Sequence, residues 1–243
     1  MTDRQAERAL YGAPDDLLTL AISFFRDRAR HGKLGKHIWQ SRRIPSWTRG
    51  AEAVTLARTS YELGDDAVII EIGSFLGASA ILLAGPRKEK GSGLVYCVDP
   101  FDGSGDPFSE PVYRRILQGK KVPAREWFEA NIRRAGLEGW IKIEQGRAEE
   151  VVRNWSQPVD LLLMDGDQSY EAVKSAYDVW CTFLKPGGIL ALHNARPGCR
   201  HESHDGAARV GEMVAATPEY TAVRYAGSLM LAQTRRQDLP AIA

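Results

Sequence analysis

The chain has 243 residues, and 32 Lys and Arg stand against 31 Asp and Glu for a net charge of +1. That length suits one large domain or two small ones, and 44% hydrophobic residues supply the apolar surface of a packed core. The balanced charge argues against a dedicated nucleic-acid binder, and no apolar run nears the ~20 residues that span a bilayer.

The opening stretch, MTDRQAERALYG, is charged and lacks the apolar run of a signal peptide, so a cytoplasmic location is expected. Cys97, Cys181 and Cys199 are odd in number and show no CxxC spacing, which reads as free thiols. Pro14-Asp15-Asp16 predicts the cap of a helix with Leu17, Leu18, Ala21, Phe24 and Phe25 on one face. That face can pack on its own domain or on a second subunit, which leaves a homo-oligomer open. Residues 31–49 read as a basic loop dotted with Trp39, Pro45 and Trp47, and residues 50–63 as a short helix. Residues 1–63 are thus expected to form an N-terminal helical cap, and residues 64–243 one compact unit.

From residue 64 onward strands and helices alternate. Strands are predicted at Val68–Ile72, 94–98, 141–144, Val159–Met164 and 189–192. Between them lie helices starting at Ala78, around Trp127 to Ala135, at Ala148, and along the stripe Tyr170, Val173, Tyr177, Trp180, Cys181 and Leu184. That last helix is expected to stop at Lys185-Pro186-Gly187-Gly188. A helix near residues 207–216 follows. Two closing strands, 221–225 and 229–233, have so short a link that they must be antiparallel. The expected fold is α/β, a doubly wound and mostly parallel seven-stranded sheet ending in an antiparallel pair.

In such sheets ligands bind at the carboxyl ends of the strands. Here those ends carry Gly73 and Ser74, Asp99, Gln145-Gly146-Arg147, Asp165-Gly166-Asp167 and His193-Asn194. Gly73-Ser74-Phe75-Leu76-Gly77-Ala78-Ser79 links a strand to a helix, where glycines permit a sharp turn and free N–H groups favour an anion. The spacing G-x-x-x-G-x-S differs from the G-x-G-x-x-G of nicotinamide enzymes, which sets a dehydrogenase behind other readings. Asp99 closes the second strand, where an acid suits the two hydroxyls of a ribose.

With these segments the chain resembles the class I S-adenosylmethionine-dependent methyltransferases. IIEIGSFLGASAILLA, YCVDPFDG, IEQGRAEEV, DLLLMDGDQSYEAVKSAYDVW and LKPGGILALHN carry the likeness. It is closest in kind to small-molecule O-methyltransferases of sugars and macrolides, and more distantly similar to catechol-type enzymes. The resemblance implies S-adenosyl-L-methionine as cofactor and a small-molecule acceptor, a sugar, natural product or phenol methylated on a hydroxyl. Methylation of nitrogen, or a non-catalytic cofactor-binding homologue, is the alternative. Nucleic acid and membrane are not expected partners.

Carried over by residue, the resemblance places Glu71, Gly73, Ser74, Gly77 and Ser79 along the methionine and ribose. Asp99 takes the ribose hydroxyls, Gly146, Arg147 and Ala148 border the adenine, and Asp165 sits beside the sulfonium. Asp165, His193 and Asn194 match the positions of a divalent metal site (Mg²⁺ or Mn²⁺) in metal-dependent relatives. The set has fewer carboxylates than a hard cation prefers. Gln168 stands where related sequences often have histidine, and glutamine cannot abstract a proton. His193 is therefore the expected base, beside Asp165. His201 and His204 with Cys199 suggest zinc, yet their loop context favours solvated histidines. Residues 100–122 are expected to form a loop on the rim of the site. His37, Trp39 and Arg49 are expected near an acceptor, while Trp47 reads as packing of the cap. A basic patch over residues 26–49 favours an anionic acceptor.

Overall fold

The computed structural model describes residues 17–119, 122–198 and 203–235. Strand β1 (Val68–Ile72) is apolar on both faces apart from Glu71, as befits a strand paired on both edges and covered on both sides. It lies between β2 (Leu94–Asp99) and β4 (Val159–Met164), parallel to both. β3 (Ile141–Gln145) extends the sheet beyond β2, and β5 (Leu184–Leu192) beyond β4, again in parallel. β7 (Leu229–Thr234) inserts antiparallel between β5 and β6 (Tyr220–Ala226). The order over the described residues is β3-β2-β1-β4-β5-β7-β6, which is the expected doubly wound, mostly parallel sheet with its antiparallel end.

Alternate residues of the strands face two separate apolar layers. Ile69, Leu161, Leu163 and Leu231 face one side with Leu56, Leu82 and Phe128. These come from helices α3 (Gly50–Glu62), α4 (Ala78–Lys90) and α6 (Ala124–Ala135). Ile70, Leu162, Leu190 and Met230 face the other with Trp180 and Val210, from α8 (Tyr170–Trp180) and α9 (Gly206–Ala216). Leu56, Ala57 and Ile38 belong to the same apolar layer as β1, so the N-terminal segment shares the core of the sheet. Cys97 and Cys181 are free and buried, and Cys199 lies outside the described residues. Among the described residues no helix is long and apolar enough to cross a membrane.

Three expectations are corrected here. Residues 31–49 are not all loop. After α1 (Leu17–His31) come a 3₁₀ turn (Gly32–Leu34) and α2 (Gly35–Ser41). Of the α1 stripe, whose packing the sequence leaves open, Leu18 and Phe25 are 70% and 69% exposed while Phe24 packs on Trp39. The Pro14-Asp15-Asp16 cap lies outside the described residues. The rim segment after β2 contains a helix, α5 (Glu110–Gln118), whose N-terminal turn holds Pro111. Finally, the helix expected to stop at residues 185–188 already ends at Trp180, and β5 begins at Leu184. Pro186, Gly187 and Gly188 form an irregular start to β5 opposite a register shift in β4, a place that tolerates both residue types. At Gly188 a Cβ would lie 2.9 Å from the Lys185 carbonyl oxygen.

Candidate active site

The site opens where the sheet order turns back, between β1 and β4. Gly73 leaves β1 with φ +88°, and a Cβ there would lie 2.4 Å from the Cα of Gly166. The two strand exits touch backbone to backbone, a contact only glycine permits. Asp165 N–H closes the seam by donating to Ile72 O at 2.8 Å, and Gly73 N–H donates to Val98 O at 2.9 Å. One cavity runs along these exits. Gly73, Ser74, Ser79, Asp99, Gly146, Arg147, Ala148 and Asp165 all line it, as the sequence suggests.

Each lining residue has a structural reason for its place. Asp99 ends β2, and its two carboxylate oxygens accept from Phe75 N–H at 2.8 Å and Phe101 N–H at 2.6 Å. Burial raises its pKa, and these amides work against the rise. Each oxygen keeps acceptor capacity towards the cavity. Gly146 N–H donates to Asp99 O, and Arg147 caps the short helix α7 (Ala148–Val151). Two expected lining residues act from beneath instead. Gly77, with φ +90°, turns the chain into α4 against Phe128 and Ile132. Glu71 is wholly buried, and accepts from the Ser74 hydroxyl at 2.7 Å and the Cys97 thiol at 3.2 Å. Burial pushes its pKa up to about 7, against the pull of Ser79, Ser74 and Cys97.

His193 leaves β5 beside Asp165, with Nδ1 2.7 Å from Asp165 Oδ1. Its other nitrogen, Nε2, lies 3.3 Å from Oε2 of Glu52 on α3. Burial alone would lower the His193 pKa, but Asp165 and Glu52 raise it to about 10. Glu52 is correspondingly held at about 2: His193 and the Ser228 donors outweigh the burial that would raise it. His193 is thus a fully buried ring with a carboxylate against each nitrogen, an arrangement that favours its protonated form. The expectation that it is the base does not fit this geometry. Asp165 remains on the cavity wall, and its Oδ2 accepts from the Thr48 hydroxyl at 3.3 Å.

A divalent metal does not fit the expected set of Asp165, His193 and Asn194. A ligating imidazole must offer a lone pair, and both His193 nitrogens are engaged by carboxylates. Asn194 Oδ1 accepts from the Ser228 hydroxyl at 3.4 Å, and its amide nitrogen donates to His204 Nε2 at 3.3 Å. Among the described residues no group of three His, Cys, Asp or Glu side chains is arranged to hold a metal ion. Cys199 and His201 lie outside the described residues. His204 is not a solvated loop histidine. Its Nδ1 is 3.0 Å from Oδ1 of Asp106, a fully buried carboxylate that also accepts from Phe108 N–H and Ser109 N–H.

The mouth of the cavity is aromatic. Trp47 lines it, contrary to its expected role as mere packing, together with Phe75, Phe101 and Tyr113. The Phe75 and Tyr113 rings pack with centroids 4.5 Å apart, tilted by 35°. Burial, then Asp165 and Asp106, push the Tyr113 hydroxyl well above its usual range, so it stays a neutral donor. Phe101, Gly103, Ser104 and Gly105 bring the segment after β2 onto the rim, as expected. His37, Trp39 and Arg49 do not reach the cavity. His37 packs under Gly85 and pairs with Glu89, Trp39 N–H donates to Leu20 O, and Arg49 donates to the carbonyls of Arg42, Ile44 and Ser46. Arg42 is paired with Asp27 at 2.8 Å. Arg42 and Arg49 are therefore engaged within the N-terminal segment, and Asp165 and Asp167 are carboxylates on the cavity wall.

Glu52, Thr48, Asp106 and Tyr113 are the site residues that sequence reasoning missed. Thr48 and Glu52 precede β1, Asp106 and Tyr113 lie inside the rim segment after β2, and no motif marks any of them.

A family model described as a methyltransferase domain matches residues 70–195. Several solved structures share the fold. Cofactor-bound Rv0187 from MTB superposes with a TM-score of 0.62 at 18% identity, over 89% of this chain and 97% of that one. The O-methyltransferase NovP gives 0.62 at 15% identity, over 96% and 98%. The O-methyltransferase TomG from Streptomyces achromogenes, involved in tomaymycin synthesis and solved with SAM, gives 0.57 at 15% identity, over 88% and 96%.

Proposed function

The chain belongs to the methyltransferase-domain family, and from that membership and the cavity we propose that it moves a methyl group from S-adenosylmethionine to a hydroxyl of a small molecule. The observation that carries the reading is one crevice in which the Gly73–Gly166 contact lies between two acids, Asp99 and Asp165. The residues fit the cofactor. Asp99 would take the ribose hydroxyls, Ser74 and Ser79 would hold the methionine end, and Gly146 to Ala148 would border the adenine; Asp99, Ser74, Ser79 and Gly146 to Ala148 all line the cavity. O-methyltransferases among the structures of like fold support the choice of hydroxyl.

When bound, the cofactor supplies a methyl group already activated by a positively charged sulfur. The chain's task is to hold the acceptor in line and to receive its proton. Position and orientation supply about 7–11 kcal/mol in favourable cases. Asp165 is the carboxylate on the cavity wall that can accept the hydrogen bond of the incoming hydroxyl and take its proton. Trp47, Phe75 and Tyr113 provide flat apolar walls that exclude water beside it. With Asp165 and Asp167 at that end, an acceptor without negative charge is favoured.

Calorimetry separates this reading from a nicotinamide enzyme. S-adenosylhomocysteine is expected to bind and NAD to give no heat. NAD binding without S-adenosylhomocysteine binding overturns the proposal. Asp99→Ala should weaken S-adenosylhomocysteine binding by about tenfold or more, because each lost charge-assisted hydrogen bond contributes roughly 1.5–3 kcal/mol. Normal binding by that variant removes the ribose assignment.

A further inference from the structure

Glu52 lies in the first turn of α3, 141 positions from its partner His193 and 176 from Ser228. Its Oε1 accepts from Ser228 N–H at 2.7 Å and the Ser228 hydroxyl at 2.8 Å. Its Oε2 meets His193 Nε2, and more loosely Arg49 N–H at 3.5 Å. The turn between β6 and β7 makes room for it. Gly227 has φ +64°, and a Cβ there would lie 2.6 Å from Glu52 Oε1. A carboxylate that served only to cap α3 would need the Arg49 contact alone. Three better contacts instead aim it at His193, whose far side carries Asp165 on the cavity wall.

We propose that Glu52 is a positioning residue of the methyl-transfer site: through His193 it fixes the Asp165 carboxylate and adds the negative charge by which the cavity prefers the cationic methyl donor to its neutral demethylated product. The inference rests on the reading of the cavity as an S-adenosylmethionine site. Glu52 gives the row Glu52–His193–Asp165 a second carboxylate, set behind the β1–β4 crevice. Without Glu52 the row keeps one carboxylate and loses one negative charge. A sulfonium gains from that charge and a thioether does not, so the row also eases loss of S-adenosylhomocysteine after transfer.

The test is calorimetry with S-adenosylmethionine and S-adenosylhomocysteine on the wild-type chain, Glu52→Gln, Asp165→Asn and the double variant, each first shown to be folded by thermal melting. Glu52→Gln, of nearly the same shape, is expected to bind S-adenosylhomocysteine within about twofold of wild type. Its preference for S-adenosylmethionine should fall about fivefold, the order of effect of one screened charge set behind the cavity wall. The double variant should lose no more preference than Asp165→Asn alone. Equal weakening of both ligands, an unchanged ratio, or additive losses in the double variant assigns Glu52 a purely structural role and overturns the proposal. If Glu52→Gln does not fold, Ser228→Ala, which loosens Glu52 but keeps its charge, should lower the ratio about twofold, and no change overturns the proposal. Failure of the wild-type chain to bind either ligand removes the methyltransferase site itself and is distinguishable from these outcomes.

Discussion

At Gly73 one added methyl group decides whether the crevice exists. Its Cβ would press on backbone atoms of Gly166 and on the carbonyl carbon of Asp165, none of which can swing aside. Gly73→Ala is therefore expected to cost roughly 2–4 kcal/mol of stability, from overpacking and from the left-handed backbone together. It should also abolish S-adenosylhomocysteine binding. Denaturant unfolding and calorimetry check both, and a variant of normal stability would show that the strand exits can part. His193 makes a second residue-scale prediction. Its pKa rises from 6.5 to about 10 on folding, so the stability it contributes is complete below pH 6.5 and is lost as pH rises towards 10. His193→Gln should flatten the fall in unfolding free energy over that interval, by up to about 5 kcal/mol. An equally steep fall in the variant would mean the imidazole is not held as a cation.

Between elements, the buried Asp106 joins the loop that leaves β2 to the loop that leaves β5 through His204. Asp106→Ala leaves the N–H groups of Phe108 and Ser109 without their acceptor. It should loosen residues 100–119, read as faster proteolytic cleavage there, and an unchanged cleavage rate would show that the loops hold independently. The absence of a fitting metal set also belongs to this scale. A chelator is expected to leave methyl transfer unchanged, and a loss restored by Mg²⁺ would show that His193 and Asn194 rearrange to bind it. The strand exits were legible in sequence because a parallel sheet writes its strands as apolar runs and ends them on polar residues, as at Val68–Ile72 and Val159–Met164. The seven-residue helix α2 was not legible, since it is too short to show a period. It is held by tertiary fit, with His37 seated where a Cβ at Gly85 would lie 2.2 Å from the ring. The start of β5 was misread because Pro186, Gly187 and Gly188 punctuate most structures but here sit at a bulge.

Across the whole molecule, the N-terminal segment is the part whose role changed most. Read as a cap over the sheet, it supplies Trp47 to the cavity mouth, Thr48 to Asp165 and Glu52 to His193. Leu56 and Ala57 complete the apolar layer over β1. A chain beginning at residue 64 is accordingly expected to be insoluble or unfolded and to bind no S-adenosylhomocysteine. A soluble, cooperatively melting fragment that binds the ligand would support a boundary at residue 64. Asp165 and His193 could be picked out as strand-exit residues, but a glutamate in the first turn of a helix looks like any helix-starting acid. Only the folded chain shows that it was placed for a histidine far along the sequence.

The contact between Glu52 and Ser228 also sets an order of events in biosynthesis. Residues of α3 leave the ribosome early, whereas the β6–β7 turn that holds Glu52 is made among the last stretches of the described chain. Until that turn is made, Glu52 lacks the Ser228 N–H and hydroxyl that hold it beside His193. A nascent or prematurely terminated chain lacking β7 would thus carry Glu52 without the partners that fix its place, and the donor preference would be set only once synthesis has run past Ser228.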